Sequence, residues 1–147
     1  MKMNQLDDAL HQQITEHCER GDHSAESEQY LEAVGHYDQA WSLLPEPKTQ
    51  WEAATWILAS IGDAHVLRGD FAAAHEALTA CMYCPGAIGN PFIHLRLGQA
   101  QFELGNEPRA ADELMRAYMG AGPEIFEDED PKYLRFLATK AEGIQAP

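Results

Sequence analysis

Apolar side chains recur along this chain at the three- and four-residue steps of an α-helix. Leu6, Leu10 and Ile14 repeat every four residues and predict a first helix that starts near residue 4. The stretch 48–68 contains no helix breaker except Gly62. It predicts one long helix that begins near Pro47 and runs through Trp51 and Trp56 to Leu67. Pro45 and Pro47 mark its beginning, because proline disfavours helix in the residue before it. Tyr133, Phe136 and Leu137 put an apolar stripe on a last helix, with Asp130 as its cap and Pro131 at its first position. Residues 4–142 are therefore expected to be almost wholly helical, with chain reversals near residues 28, 46, 69, 87, 105 and 122.

Part of this pattern repeats. Residues 58–65 align with residues 94–101 at a spacing of 36. Gly62 maps to Gly98, Gly69 to Gly105, Ala74 to Ala110 and Leu78 to Leu114. Each unit reads as two helices joined by a tight turn. Gly69 and Gly105 end the first helix, since glycine takes the left-handed conformation without steric cost. Asp70 and Asn106 follow as caps for the second, and Pro108 falls in its first turn. Gly62 with Ala74, and Gly98 with Ala110, are expected to let the two helices approach closely. A third copy lies upstream in Gly21, Tyr30, Ala33, Tyr37, Ala40 and Pro45, with Glu28 at the turn position where the others have glycine.

These residues resemble the tetratricopeptide repeat, a helix–turn–helix unit of about 34 residues that stacks into a superhelix. The resemblance implies an all-α fold, a right-handed α-solenoid of about three helix pairs with a C-terminal capping helix. The whole chain, 1–147, reads as one domain. Its repeats fall at about 14–47, 55–88 and 91–122, followed by an acidic connector 123–130 and the capping helix 131–142. The chain departs from the family in repeat length, in Glu28, and at His65 and Gln101, where an aromatic is usual. The run from Cys84 to Gly98 and the tail Glu127–Tyr133 further resemble a small bacterial tetratricopeptide family often encoded beside polymorphic toxins of the Rhs or contact-dependent type. That likeness implies an immunity protein, which binds and neutralises one cognate toxin.

Composition narrows the partners. The 147 residues carry 24 acidic and 10 basic side chains, a formal net charge of −14. Such a surface repels nucleic acid and anionic membrane, and either serves solubility alone or attracts a basic protein. No apolar run approaches the ~20 residues of a membrane span, and no secretion signal is evident at the N-terminus, so a cytoplasmic protein is expected.

In the resembled fold, the first helix of each repeat faces a concave groove. The inward positions here include Cys18, Asp22 and Glu26, then Trp56, Ala59 and Asp63, then Phe92, Leu95, Gln99, Phe102 and Glu103, with Arg96 at the groove's edge. Aromatics beside charges suit anchors in a partner site, although Trp56 and Phe92 could equally be core residues. Some family members hold a peptide carboxylate with Lys and Asn at these places. Their absence here disfavours that ligand and favours a basic one. The acidic run Glu124–Asp130, with Glu127, Asp128, Glu129 and Asp130, is either a solvated connector or a second docking patch. It lacks the turn glycine of a calcium loop.

Catalytic chemistry has little to build on. Cys81-Met82-Tyr83-Cys84 is a lone C-x-x-C without the second ligand pair that zinc needs. Cys81 falls where a repeat wants a small buried residue, so both thiols read as structural. His65 and His94 fall where they face neighbouring helices and read as packed, hydrogen-bonded side chains. The expectation is a non-enzymatic protein without metal or cofactor that binds a basic protein partner. Within that class, toxin immunity leads and an adaptor or chaperone-like scaffold is the alternative. A metal protein or enzyme built on Cys81, Cys84 and a histidine is the rival from outside it.

Overall fold

The computed structural model describes residues 6–144 and 146, and among them every regular element is helical. Helix α1 spans Asp8–Glu26, α2 Tyr30–Ser42, α3 Glu52–Arg68 and α4 Phe71–Cys81. Helix α5 spans Pro91–Glu103, α6 Glu107–Ala121 and α7 Pro131–Lys140. The chain divides into two compact units, Met1–Ala87 and Ile88–Pro147. The first contains the pairs α1–α2 and α3–α4. The second contains the pair α5–α6 and the terminal α7.

Three turns inside the helix pairs share one hydrogen-bond pattern. Backbone N–H groups of Gln29, Asp70 and Asn106 donate to Ser24, His65 and Gln101, each over 2.9 Å. The residue just before each donor is left-handed: Glu28 at φ 60°, Gly69 at 86° and Gly105 at 84°. This motif satisfies carbonyls that the helix end leaves unpaired. Glu28 therefore takes the same turn as the glycines and bears the side-chain strain they avoid. Glu28→Gly is expected to stabilise the protein by about 0.5–1 kcal/mol. That is the ~1–2 kcal/mol of left-handed strain less the extra chain entropy of glycine. A urea titration with an unchanged slope and a higher midpoint would show it.

The glycines inside the helices pack differently from expectation. A Cβ on Gly62 would collide with the Leu78 side chain, one on Gly98 with Leu114, and one on Gly21 with the Tyr37 ring. Each glycine thus forms a notch that receives a large side chain sixteen residues later. The nearest atoms to each are those of this large residue rather than of the alanine at 74 or 110. Ala74 and Ala110 are nevertheless fully buried. Ala74→Leu and Ala110→Leu are each expected to cost about 1–3 kcal/mol through overpacking, read as a lower thermal midpoint.

Three other boundaries are corrected. Helix α1 starts at Asp8, capped by Asp7, whose carboxylate accepts the Leu10 N–H; residues 4 and 5 lie outside the described residues. Helix α3 starts at Glu52 rather than near Pro47. Before it lies a short 3-10 turn, Lys48–Gln50, and Trp51 is extended, with its indole N–H donated to Pro45 O over 2.8 Å. Lys48 Nζ donates to Trp41 O and Leu44 O, which closes the end of α2 and holds the chain out of helix here. Asn106 stands at the start of α6 but its side chain makes no capping bond, whereas Asp70 and Asp130 do cap, accepting from Ala73 and Lys132 N–H.

Candidate functional site

In the first unit, successive turns of α1 place Asp8, Glu19 and Asp22 along one wall of a groove of about 850 Å³. The first turns of α3 supply the other wall with Glu52 and Trp56. Ile14 and Ile57, both buried, give it an apolar floor. Trp56 is 61% exposed, an unusual position for so large an aromatic. Among the described residues, no Lys or Arg lines the groove.

The wall on α1 is tied to the core. Tyr37, the bulk that fills the Gly21 notch, donates its hydroxyl to Asp22 Oδ1 over 2.6 Å. Burial, this hydrogen bond and the charges of Asp22, Asp63 and Cys18 push the phenol's pKa far up, so it remains a donor. The same influences place Asp22, Asp63 and Cys18 around one ring. Burial first, then the charges of Asp22 and Glu19, push the Cys18 thiol up to about 11, which keeps it protonated and unreactive. Of the residues expected to form the groove, Asp22 and Trp56 line it, while Asp63 acts on the Tyr37 ring and is not among the lining residues. Glu26 is exposed on α1 one turn beyond Asp22. Glu19, Glu52 and Tyr37 were missed, although Glu52 stands four residues before Trp56 and so on its helical face.

In the second unit, the inward face of α5 is occupied by the chain itself. Arg96 is buried, not at an edge. Its Nη1 donates to Gln99 Oε1 over 2.8 Å and to Glu129 Oε1 over 2.5 Å, and its guanidinium lies over the Phe92 ring. Gln99, 1% exposed, donates to the same Glu129 oxygen. Phe102 packs edge-on against Tyr133 and Phe136 of α7. Glu103 pairs with Lys132 over 2.5 Å and accepts the Tyr133 hydroxyl. Phe92 keeps an exposed edge. The connector is not simply solvated: Phe126 is buried in the core and Glu129 is held, while Glu127, Asp128 and Asp130 face solvent. Nothing local in the sequence couples α5 to residues some thirty positions downstream.

The cysteines and histidines of interest are packed. Cys81 donates to Thr55 O, and burial, then the neighbouring Cys84, pushes its thiol up to about 12. His94 lies in the core of the second unit. Its Nε2 accepts the Gly89 N–H over 2.8 Å, which leaves the ring proton on Nδ1, 2.5 Å from Glu113 Oε2. Among the described residues, no group of three or more His, Cys, Asp or Glu is placed to hold a metal ion. Nor is any described helix long and apolar enough to cross a membrane.

Among solved structures, the chain is similar to the type III secretion chaperone SycD of Yersinia enterocolitica, determined in complex with a peptide of the translocator YopD. The TM-score is 0.64 at 14% identity, over 91% of this chain and 93% of that one. At that identity the likeness speaks for the fold, an all-helical arrangement of the tetratricopeptide type. No protein-family model matches the chain and no curated protein does.

Proposed function

We propose that this chain is a non-enzymatic binding protein that holds a basic segment of a partner protein in the groove of its first unit. One observation carries the reading: Trp56 stands exposed in a concavity whose charged side chains are carboxylates. An exposed aromatic ringed by charge of one sign suits an anchor for a partner of the opposite sign. Arg96, Gln99, Phe102, Glu103 and Glu129 serve the protein's own packing, and the residues proposed to meet the partner are those that line the groove: Asp22 and Trp56 with Glu19 and Glu52.

Two finer readings differ in the partner. The immunity reading, in which the partner is a cognate toxin domain, draws on the likeness of residues 84–98 and 127–133 to toxin-associated tetratricopeptide proteins. The chaperone or adaptor reading draws on the fold shared with a secretion chaperone that was solved holding a peptide. Co-expression with the product of the adjacent gene separates them. Restored growth of cells poisoned by that product supports immunity, whereas improved solubility of a harmless product supports a chaperone. In either case, charge reversal at Glu19 and Asp22 is expected to weaken partner binding by about tenfold or more and to flatten the salt dependence of the on-rate. Reversal at Asp38 and Glu76, outside the groove, is expected to do much less. Equal losses from both pairs, measured by surface plasmon resonance, would sink the groove assignment.

A further inference from the structure

We infer that the groove of the first unit is built to take an arginine side chain of the partner, with the guanidinium laid on the Trp56 indole. The inference rests on the protein-binding reading above and names the group that the groove recognises. Two independent observations point to it. The first is the lining: Glu52 sits one turn before Trp56 on α3, Glu19 and Asp22 stand on the α1 wall, and no described lining residue is a Lys or Arg.

The second concerns the rings of this protein that do carry a cation. Among the described residues, Trp41 has Lys48 over it, Phe92 has Arg96, Phe102 and Tyr133 share Lys132, and Phe136 has Lys140. Trp56 makes no such contact with a described Lys or Arg, and of the two indoles that line the acidic groove, Trp51 and Trp56, it is the exposed one. Its π-face is the strongest cation acceptor among the aromatic side chains.

Geometry favours guanidinium over ammonium. A guanidinium is flat, weakly hydrated and able to stack on an indole while its edge donates to carboxylates on either side. An ammonium is a strongly hydrated point charge and loses more on leaving water. The floor of Ile14 and Ile57 suits the methylene stem behind the charged head.

The test uses the full chain and one short fluorescein-labelled peptide in three versions, with arginine, lysine or uncharged citrulline at the same positions. Fluorescence anisotropy is expected to give an arginine peptide that binds about three- to tenfold tighter than the lysine peptide, and a citrulline peptide that does not bind measurably. Because Trp56 is exposed, Trp56→Leu is expected to fold normally by circular dichroism and to bring the arginine-to-lysine ratio close to one. Trp56→Phe is expected to retain part of the preference, and Glu19→Gln with Glu52→Gln to weaken both cationic peptides alike. Equal binding of the arginine and lysine peptides to the wild type, or a preference that survives Trp56→Leu, overturns the arginine assignment and leaves the protein-binding reading standing. Failure of both cationic peptides to bind the wild type overturns both.

Discussion

Arg96→Ala is expected to destabilise the second unit by about 3–4 kcal/mol, near the lower end of what breaking a buried ion pair costs. The guanidinium is 8% exposed and the Glu129 carboxylate 17%, so removal of the arginine leaves a half-buried charge with only the Gln99 amide. That amide is a neutral donor and cannot replace a cation. The carboxylate can partly escape by swinging toward water beside Asp128 and Asp130, which keeps the cost from reaching the upper end. Glu129→Gln should cost less, because an amide oxygen still accepts from Arg96, although the guanidinium loses the carboxylate's charge. Arg96→Met combined with Glu129→Leu should recover only part of the loss, since it removes the desolvation penalty of the pair but takes both of these partners from the buried Gln99 amide. Chemical denaturation of the three variants checks this. A loss below about 0.5 kcal/mol in Arg96→Ala would mean that the pair behaves as a surface contact.

Glu113→Ala carries the second large effect, about 2–4 kcal/mol. His94 and Glu113 have side chains 3% and 8% exposed. Without the carboxylate, the Nδ1 proton of His94 faces no acceptor in a dry interior, at about 1–3 kcal/mol, and the lost side chain adds a cavity. The ring cannot escape by moving its proton, because a proton on Nε2 would face the Gly89 N–H, donor against donor. Glu113→Gln should restore most of the stability, since its amide oxygen can accept the same proton. If Glu113→Gln unfolds as readily as Glu113→Ala, the hydrogen bond is not the reason that this position matters.

The fold was readable in the sequence where its causes are local. Gly69 and Gly105 announce left-handed turns by their lack of a side chain, and Asp70 and Asp130 announce helix starts by their short acceptors. Glu28 hid its turn because the same backbone shape was imposed on a residue that resists it. The notches were half visible. Gly62 and Gly98 marked close helix contact, but their fillers were sought among small residues. The common sixteen-residue offset to Tyr37, Leu78 and Leu114 was the available signal. Of the candidate site, the helical period reached Asp22 and Trp56, which line the groove of the first unit. Gln99 and Glu103 share a face of α5 with Arg96, which was expected at an edge and is buried. What covers that face arrives from Glu129, Lys132 and Tyr133, and helical spacing cannot foresee a partner that far along the chain.

The bond from Tyr37 to Asp22 has a consequence for recognition. In the later pairs the notch is filled by leucine, which ends inside the core. Tyrosine is longer, and its hydroxyl reaches through to the groove wall and fixes a carboxylate there. A side chain that is already immobile gives up less rotamer freedom when a ligand arrives, a saving of the order of 0.5–1.5 kcal/mol for each group so fixed. Tyr37→Phe would leave the notch filled while setting Asp22 free to rotate. Its effect on binding would therefore appear as a less favourable entropy, with the charge of the groove unchanged.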